Sequence, residues 1–504
     1  MKRVLFTVLI IFLLILSLSC QEKSNLTFKY YRHININTLE PILGRYEVEH
    51  DEAMGINCYM FTYNNDSLTS VEYLKEGMPK LDPELEVAKI NIEYKETFME
   101  LSFRNEEGDD IERSCGQFYQ LKVIVDSIET AIINLNHDGK IMLDCLGVAK
   151  YSMFFNENDL PDIIFRHDID DSRILDSYGL YMTRHVYDNN GNEVKVSNYD
   201  EDMSLQVAEK FGASSFAVEF DEYGNKVEYR GYDNEGKLAI PDDFDFPFIT
   251  LKYDYKGNQI EYNYFNSSER LLETIKKDSN DNIVEVRYYD GEGNLRDDSE
   301  SGAAIIKFAY NKANNEIERR FFDINNNLTS SNSNGAAVIK TDYFAAHDTA
   351  MSIQTYYDVN ENLFENKNDG IATYQQKHLM DYTYSEHCNY DIDGNLKKPK
   401  GLYYAKHTFT TYEDSGYTEM CFYENNNELV TVTEGWDFAI SRIFDDENDS
   451  TICIQTMNSR RELVEDPKTG AASTKYERDE NGKMIKKIGY DKNNKIVYEE
   501  IVDE

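Results

Sequence analysis

Tryptophan and proline are nearly missing from this sequence, with 1 Trp and 8 Pro in 504 residues. Scarce proline removes the residue that most often keeps a segment out of the interior of a sheet. Positive charge is also short: 52 Lys+Arg face 93 Asp+Glu, a formal charge of −41. That deficit excludes a nucleic-acid binder that works by neutralising phosphates. There is no G-x-S-x-G, H-E-x-x-H, Walker A or dinucleotide fingerprint, so no familiar nucleophile, zinc site or phosphate cradle is encoded. The seven cysteines form no CxxC and no Cys/His pair at zinc-finger spacing. After the first twenty residues no apolar run is long enough to span a bilayer.

What is abundant points to strand. Hydrophobic residues make up 41% and aromatics 13%, too many for a disordered acidic chain. The 38 Tyr and 26 Phe suit a half-buried pleated surface. The fold class expected is all-β.

The N-terminus carries an address. Met1-Lys2-Arg3 precedes an apolar run from Val4 to Leu18 and then Ser19-Cys20, the layout of a secretory signal over residues 1–19. A cysteine directly after such a run resembles the lipobox of bacterial lipoproteins, which implies acylation of Cys20. Ser17 stands where that motif usually has Leu, with Leu16 one step away. The expected location is the bacterial envelope, lipid-anchored at the outer membrane or cell surface, with a periplasmic or secreted protein as the alternative.

Aligned with itself, the chain shows an aromatic followed by Asp or Asn and a Gly/Asn-rich turn, in two alternating classes. The first includes Tyr199-Asp200, Tyr232-Asp233, Tyr289-Asp290, Phe322-Asp323, Tyr357-Asp358, Tyr390-Asp391 and Tyr490-Asp491. Steps are about 33 residues, with a short one of about 24 after Phe265. The second class includes Tyr187-Asp188, Phe220-Asp221, Tyr253-Asp254 and Tyr310-Asn311, and continues more weakly through Phe444-Asp445 and Arg478-Asp479. A glycine precedes it by about eight residues, often as Gly-x-Ala, as in Gly302-Ala303-Ala304.

Turns such as Asp188-Asn189-Asn190-Gly191-Asn192 supply an Asp that bonds the turn backbone and residues that tolerate φ > 0. Alternating segments such as Val284-Glu285-Val286-Arg287 follow, with the period of a strand. Each unit should hold two or three short strands. The Leu column Leu238, Leu295, Leu328, Leu363, Leu396 and Leu429 should fill an apolar seam that only stacked units can bury. The expected architecture is an elongated tandem repeat of short antiparallel hairpins, solenoid-like or an extended meander. An irregular section over 20–130, a cap or degenerate repeats, precedes a repeat body over 131–504.

This vocabulary resembles the tyrosine-aspartate (YD, or RHS-like) repeats of bacterial surface and secreted proteins. The resemblance implies a surface-exposed β-repeat body for binding or scaffolding. The chain is expected to be too short to wrap a closed shell, and to end after Asp491 with no effector domain.

Candidate chemistry is sparse. The turn carboxylates Asp188, Asp221, Asp254, Asp290, Asp323, Asp358, Asp391 and Asp393 read as turn geometry, with calcium ligation as the alternative, since Asp-x-Asp-Gly-Asn at Asp391 opens like an oxygen-ligand loop. No other cofactor is expected. Glu228, Glu261, Glu285 and Glu318 recur once per unit, with Arg230, Arg287 and Arg320 two places after three of them, a charge ladder more than a catalytic pair. The aromatics should pack inward with hydroxyls at the rim, a fraction of them facing a ligand. His378, His387, His407 and Cys388 match no ligand motif. The function expected is a non-catalytic binding or scaffolding module with an extracellular protein or glycan as partner, and no nucleic acid. The alternatives are a calcium-stabilised adhesin or spacer, and a hydrolase or inhibitor-like activity in the N-terminal section.

Overall fold

A computed structural model describes residues 26–36, 42–83, 85–111, 120–125, 130–136, 138–208, 212–239, 246–412, 415–432, 437–445, 450–479 and 483–502. Cys20 lies outside them. Among the described residues 32 strands run in chain order from β1 (Leu26–Ile36) to β32 (Ile496–Ile501), with a single helical turn at His50–Ala53. The fold is all-β, and every pairing between strands is antiparallel. The chain divides into two compact units, Met1–Leu271 and Leu272–Glu504.

In the second unit the repeat is a two-strand hairpin plus a connecting loop. β20 (Ile305–Tyr310) pairs with β21 (Glu316–Phe322), and β21 pairs onward with β22 (Val338–Ala346). The successive hairpins therefore form a meander, and the solenoid alternative is set aside. Cys388 and Cys421, one repeat apart, have a whole strand between them, about 9.6 Å at strand spacing. The repeat is shorter than a three-strand unit because its remaining residues form the loop. That loop returns to make one isolated bridge from the aromatic to the Leu of the column, as in Tyr289↔Leu295 and Tyr390↔Leu396.

Burial falls elsewhere than on that column. The leucines are half-buried, whereas Ala303, Ala304, Ala336, Ala337, Ala372 and Ala405 are fully buried. These alanines sit where one hairpin meets the next. Ala337 N–H donates to Tyr357 O at 2.9 Å, and Phe321 N–H donates to Ala337 O at 3.0 Å. Successive loops also bond to each other, with Lys367 N–H on Asn334 O and Lys400 N–H on Asp369 O, both 2.7 Å. At Gly335, with φ +79°, a Cβ would fall 2.7 Å from the Lys367 side chain of the next loop. The Gly-x-Ala marker thus encodes a left-handed residue followed by a buried seam, filled by Ala303 and Ala336 in two repeats and by Val148 and Ile371 in others.

In the first unit the strands of the section over 20–130 already pair in this style, with the loop bridges Arg104↔Asp110 and Leu135↔Ile141. Their apolar faces, including Phe61, Val71, Leu101, Val123 and Met153, enclose the main core cluster. The N-terminal strands β1, β2 (Ile42–Val48) and β3 (Asn57–Asn64) lie against a row of repeat turns far along the chain. Asn35 Nδ2 donates to Gly191 O at 3.0 Å. Asn57 N–H donates to Lys256 O at 2.8 Å and its Nδ2 to Asn258 Oδ1 at 3.0 Å. Between these, Tyr46 packs on Gly224, where a Cβ would come within 2.2 Å of the ring.

Candidate binding surface

The turn carboxylates are occupied by their own backbones. Asp188 Oδ1 accepts the N–H groups of Asn190 and Asn192 at 2.8 and 2.9 Å, and Oδ2 accepts Asn192 Nδ2 at 2.7 Å. Asp221 and Asp254 repeat the pattern with Asn225 and Asn258. Asp290, Asp323, Asp358 and Asp391 do the same with Asn294, Asn327, Asn362 and Asn395, whose backbone N–H groups hold these carboxyls below their ordinary pKa. Asn156, Asn266, Asn311 and Asn458 fill the same role without a charge. Asp393 is exposed at the middle of its turn and gives its N–H to Asp391. Among the described residues no group of three or more His, Cys, Asp or Glu is placed to hold a metal ion.

Within each unit the glutamates of the column form ion pairs on a face of the sheet. Glu285 meets Arg287 at 2.7 Å and Lys276 at 3.0 Å, and Glu318 meets Arg320 at 2.6 Å. Arg230 joins Glu228 and Glu269, and Lys252 reaches Glu261 at 2.6 Å. The first-class aromatics stand on this face too, half-buried under lysines: Lys340 over Tyr357 at 5.1 Å, Lys406 over Tyr423 at 4.7 Å and Lys475 over Tyr490 at 5.3 Å. The deeply packed side chains are their immediate predecessors on the other face, such as Phe321, Tyr356 and Phe422. Alternation along the strand explains this difference from the inward packing expected of the aromatics.

The repeat changes character where the second-class turn motif weakens. β22 and β23 (Thr349–Tyr357) are nine residues each, against six and seven in the hairpin before. β24 (Thr373–Leu379) pairs with β25 (Tyr384–Tyr390), and β26 (Lys406–Tyr412) with β27 (Tyr417–Tyr423). None of these three hairpins has the Asp-x-x-Gly-Asn turn. Their tips bond to each other instead, with Met380 N–H on Asp348 O at 2.6 Å and Thr411 N–H on Thr383 O at 2.8 Å. The tips carry Tyr343, Phe344, Met380 and Tyr382, exposed at 45%, 50%, 48% and 78%.

Register sorts the side chains of these six strands into two unlike faces. One cross-strand row reads Tyr343, Ser352, Gln376, His387, His407, Phe422, and the next reads Ala345, Ala350, His378, Ser385, Phe409, Met420. Thr341, Gln354, Tyr374 and Asn389 continue the same face. It has no Asp, Glu, Lys or Arg, in a chain that is 29% charged. The opposite face of the same strands carries Lys340, Asp342, Lys377, Glu386, Lys406 and Glu419. Half-buried amides, hydroxyls, imidazoles and rings in one surface offer directional hydrogen bonds and flat stacking partners without a field.

The three histidines of the sequence reading all lie on this uncharged face. His387 and His407 stack with centroids 4.5 Å apart and planes 9° apart, and His378 stacks on Tyr382 at 5.6 Å. Cys388 points to the charged face, where burial pushes its thiol up to about 11. Cys388 and Cys421 are free, and Cys145 is disulfide-bonded. The uncharged face is not derivable from the turn motifs, since first-class turns at Asp358 and Asp391 run through it; the sequence signal is the weakening of the second class beyond Asn311.

No protein-family model matches the chain, and no curated protein does. Among solved structures, a double mutant of transferrin-binding protein B from Haemophilus parasuis Hp5 is similar at 8% identity, over 72% of this chain and 71% of that one. Its TM-score is 0.11, so the likeness carries no argument about fold or function.

Proposed function

We propose that the chain is an exported, non-catalytic binding module of the bacterial envelope, a YD-like β-repeat protein held to the membrane by an acyl group on Cys20. Its ligand surface is the uncharged face of β22–β27, and its ligand is an uncharged hydroxyl-rich chain, a neutral glycan. The supporting observation is the absence of formal charge from that one face. A charged partner would leave ions facing amides and rings, whereas a sugar chain finds donors, acceptors and ring faces together.

Affinity electrophoresis of the full chain through gels containing a neutral polysaccharide, such as dextran or mannan, tests this reading. The wild type should be retarded, and Gln376→Glu or Tyr343→Ala should run as in a blank gel. Equal mobility of all three across a panel of neutral polysaccharides, or retardation by an acidic one alone, would contradict it. The address has its own test: palmitate should label the chain in cells and fail to label Cys20→Ser.

A further inference from the structure

The stacked pair on the uncharged face is poorly suited to carry charge. His387 and His407 are cross-strand neighbours on β25 and β26. Around them stand Tyr404, edge-on to His407 at 5.5 Å, Phe409 at 5.4 Å from His407 and 6.0 Å from His387, and Phe422. His387 Nδ1 shares a hydrogen bond with the Tyr374 hydroxyl. His407 Nδ1 is buried with no hydrogen-bond partner among the described residues. A neutral ring leaves only a lone pair unused there, but a protonated one would leave a charged donor unsatisfied.

Among the described residues no counter-ion faces the pair from the strands packed against it. β24 presents Tyr374, Gln376 and His378, β25 presents Ser385 and Asn389, β26 presents Phe409, and β27 presents Met420 and Phe422. Lys377, Glu386, Lys406 and Glu419 belong to the opposite face, where Lys406 and Glu386 pair at 3.3 Å. The titratable groups on the pair's own side are His378 and the phenols of Tyr374 and Tyr404, none of which is an anion at neutral pH.

We propose that the His387–His407 stack is an acid-sensitive latch: neutral rings lock β25 to β26 at neutral pH, and protonation loosens that pairing and discharges the ligand of the uncharged face. The ligand part rests on the binding function proposed above; the latch does not. Burial, followed by the neighbouring ring, pushes His407 down to about 4, and burial followed by His378 lowers His387. Folded-state values below the unfolded one mean that the unfolded chain takes up protons the folded chain refuses. Stability is therefore complete above about pH 6.5 and falls as the pH drops toward the folded values.

The test is a pH titration of the full chain, from pH 7.5 to 4, by NMR of ¹³C-labelled histidine, with melting temperatures in parallel. Two rings of the folded chain should titrate well below the value of about 6.5 that histidine takes in an unfolded chain. His407→Phe, and separately His387→Gln in case the first does not fold, should remove one low-titrating ring each. His407→Phe should lose less melting temperature between pH 7 and 5 than the wild type, by about 2–4 °C, and His387→Gln should shift in the same direction. Titration of every ring at that unfolded-chain value, or the same acid loss in both variants, would overturn the latch. Dextran or mannan retardation, repeated at pH 5, separates the two claims: absence at both pH values defeats the binding function and leaves the latch standing.

Discussion

Replacing Asp254 asks whether the repeat turns are held by their own backbone or by an ion. Its Oδ1 accepts Lys256 N–H and Asn258 N–H at 2.9 Å each, and Oδ2 accepts Asn258 Nδ2 at 2.9 Å. In Asp254→Ala both backbone donors fall back on water, and a net loss of about 0.5–1.5 kcal/mol per bond gives roughly 1–3 kcal/mol. This turn also seats Asn57 through Lys256 O and Asn258 Oδ1, so the docking of β3 should weaken with it. Asp254→Asn keeps an oxygen at the Oδ1 position for the two backbone donors, as Asn156, Asn266, Asn311 and Asn458 do natively, but sets its Nδ2 against Asn258 Nδ2, so it should lose about 0.5–1.5 kcal/mol, less than Ala. Urea unfolding of the three proteins, with and without calcium, reads the difference. If Asn is as harmful as Ala, or if calcium stabilises the wild type and neither variant, the backbone account of the turns fails.

Other residues make independent demands. Gly224→Ala combines φ +83° with a Cβ 2.2 Å from the Tyr46 ring, and should destabilise by about 2–4 kcal/mol in urea unfolding, part of it recovered in the double variant with Tyr46→Ala. Glu419 is 2% exposed between Arg461 at 2.7 Å and Arg442 at 3.2 Å, so Glu419→Ala should cost about 2–4 kcal/mol in the same assay and Glu419→Gln less. Burial followed by Glu419 pushes the Cys421 thiol up to about 11, so iodoacetamide at pH 8 should label it in urea and spare it when folded, with labelling of the folded chain rising only as the pH approaches that value. Mass mapping should show no Cys388–Cys421 disulfide, because an intervening strand keeps them beyond reach.

Sequence periodicity reaches as far as local chemistry does. The Asp and Gly of each turn dictate a hairpin, and the Glu-x-Arg spacing places both charges on one face, so the all-β repeat and its ion ladder were legible. The Leu column was read correctly as a column but overvalued as core. Leu295 and its equivalents bridge to an aromatic at half exposure, while full burial falls on the residues just after the marker glycines, such as Ala304, Ala337 and Val148. The docking of β1–β3 on turns some 150–200 residues away joins segments that share no local pattern, so no motif announces it. The uncharged face follows the same logic. It depends on register across six strands, from Tyr343 to Phe422, and on three tips that have lost the turn signature.

Everything argued for that face requires β22–β27 to pair in chain order, two strands to a repeat. Nitroxides at Asn325→Cys and Asn426→Cys, on exposed first-class turns three repeats apart, measure this directly by pulsed dipolar spectroscopy, with Cys20 and the half-buried Cys453 replaced by Ser and the buried Cys58, Cys388 and Cys421 spared by mild labelling. Six strand spacings predict a separation of about 29 Å. About 14 Å, the value for three rungs of a one-strand stack, would contradict the meander and dissolve the uncharged face with it.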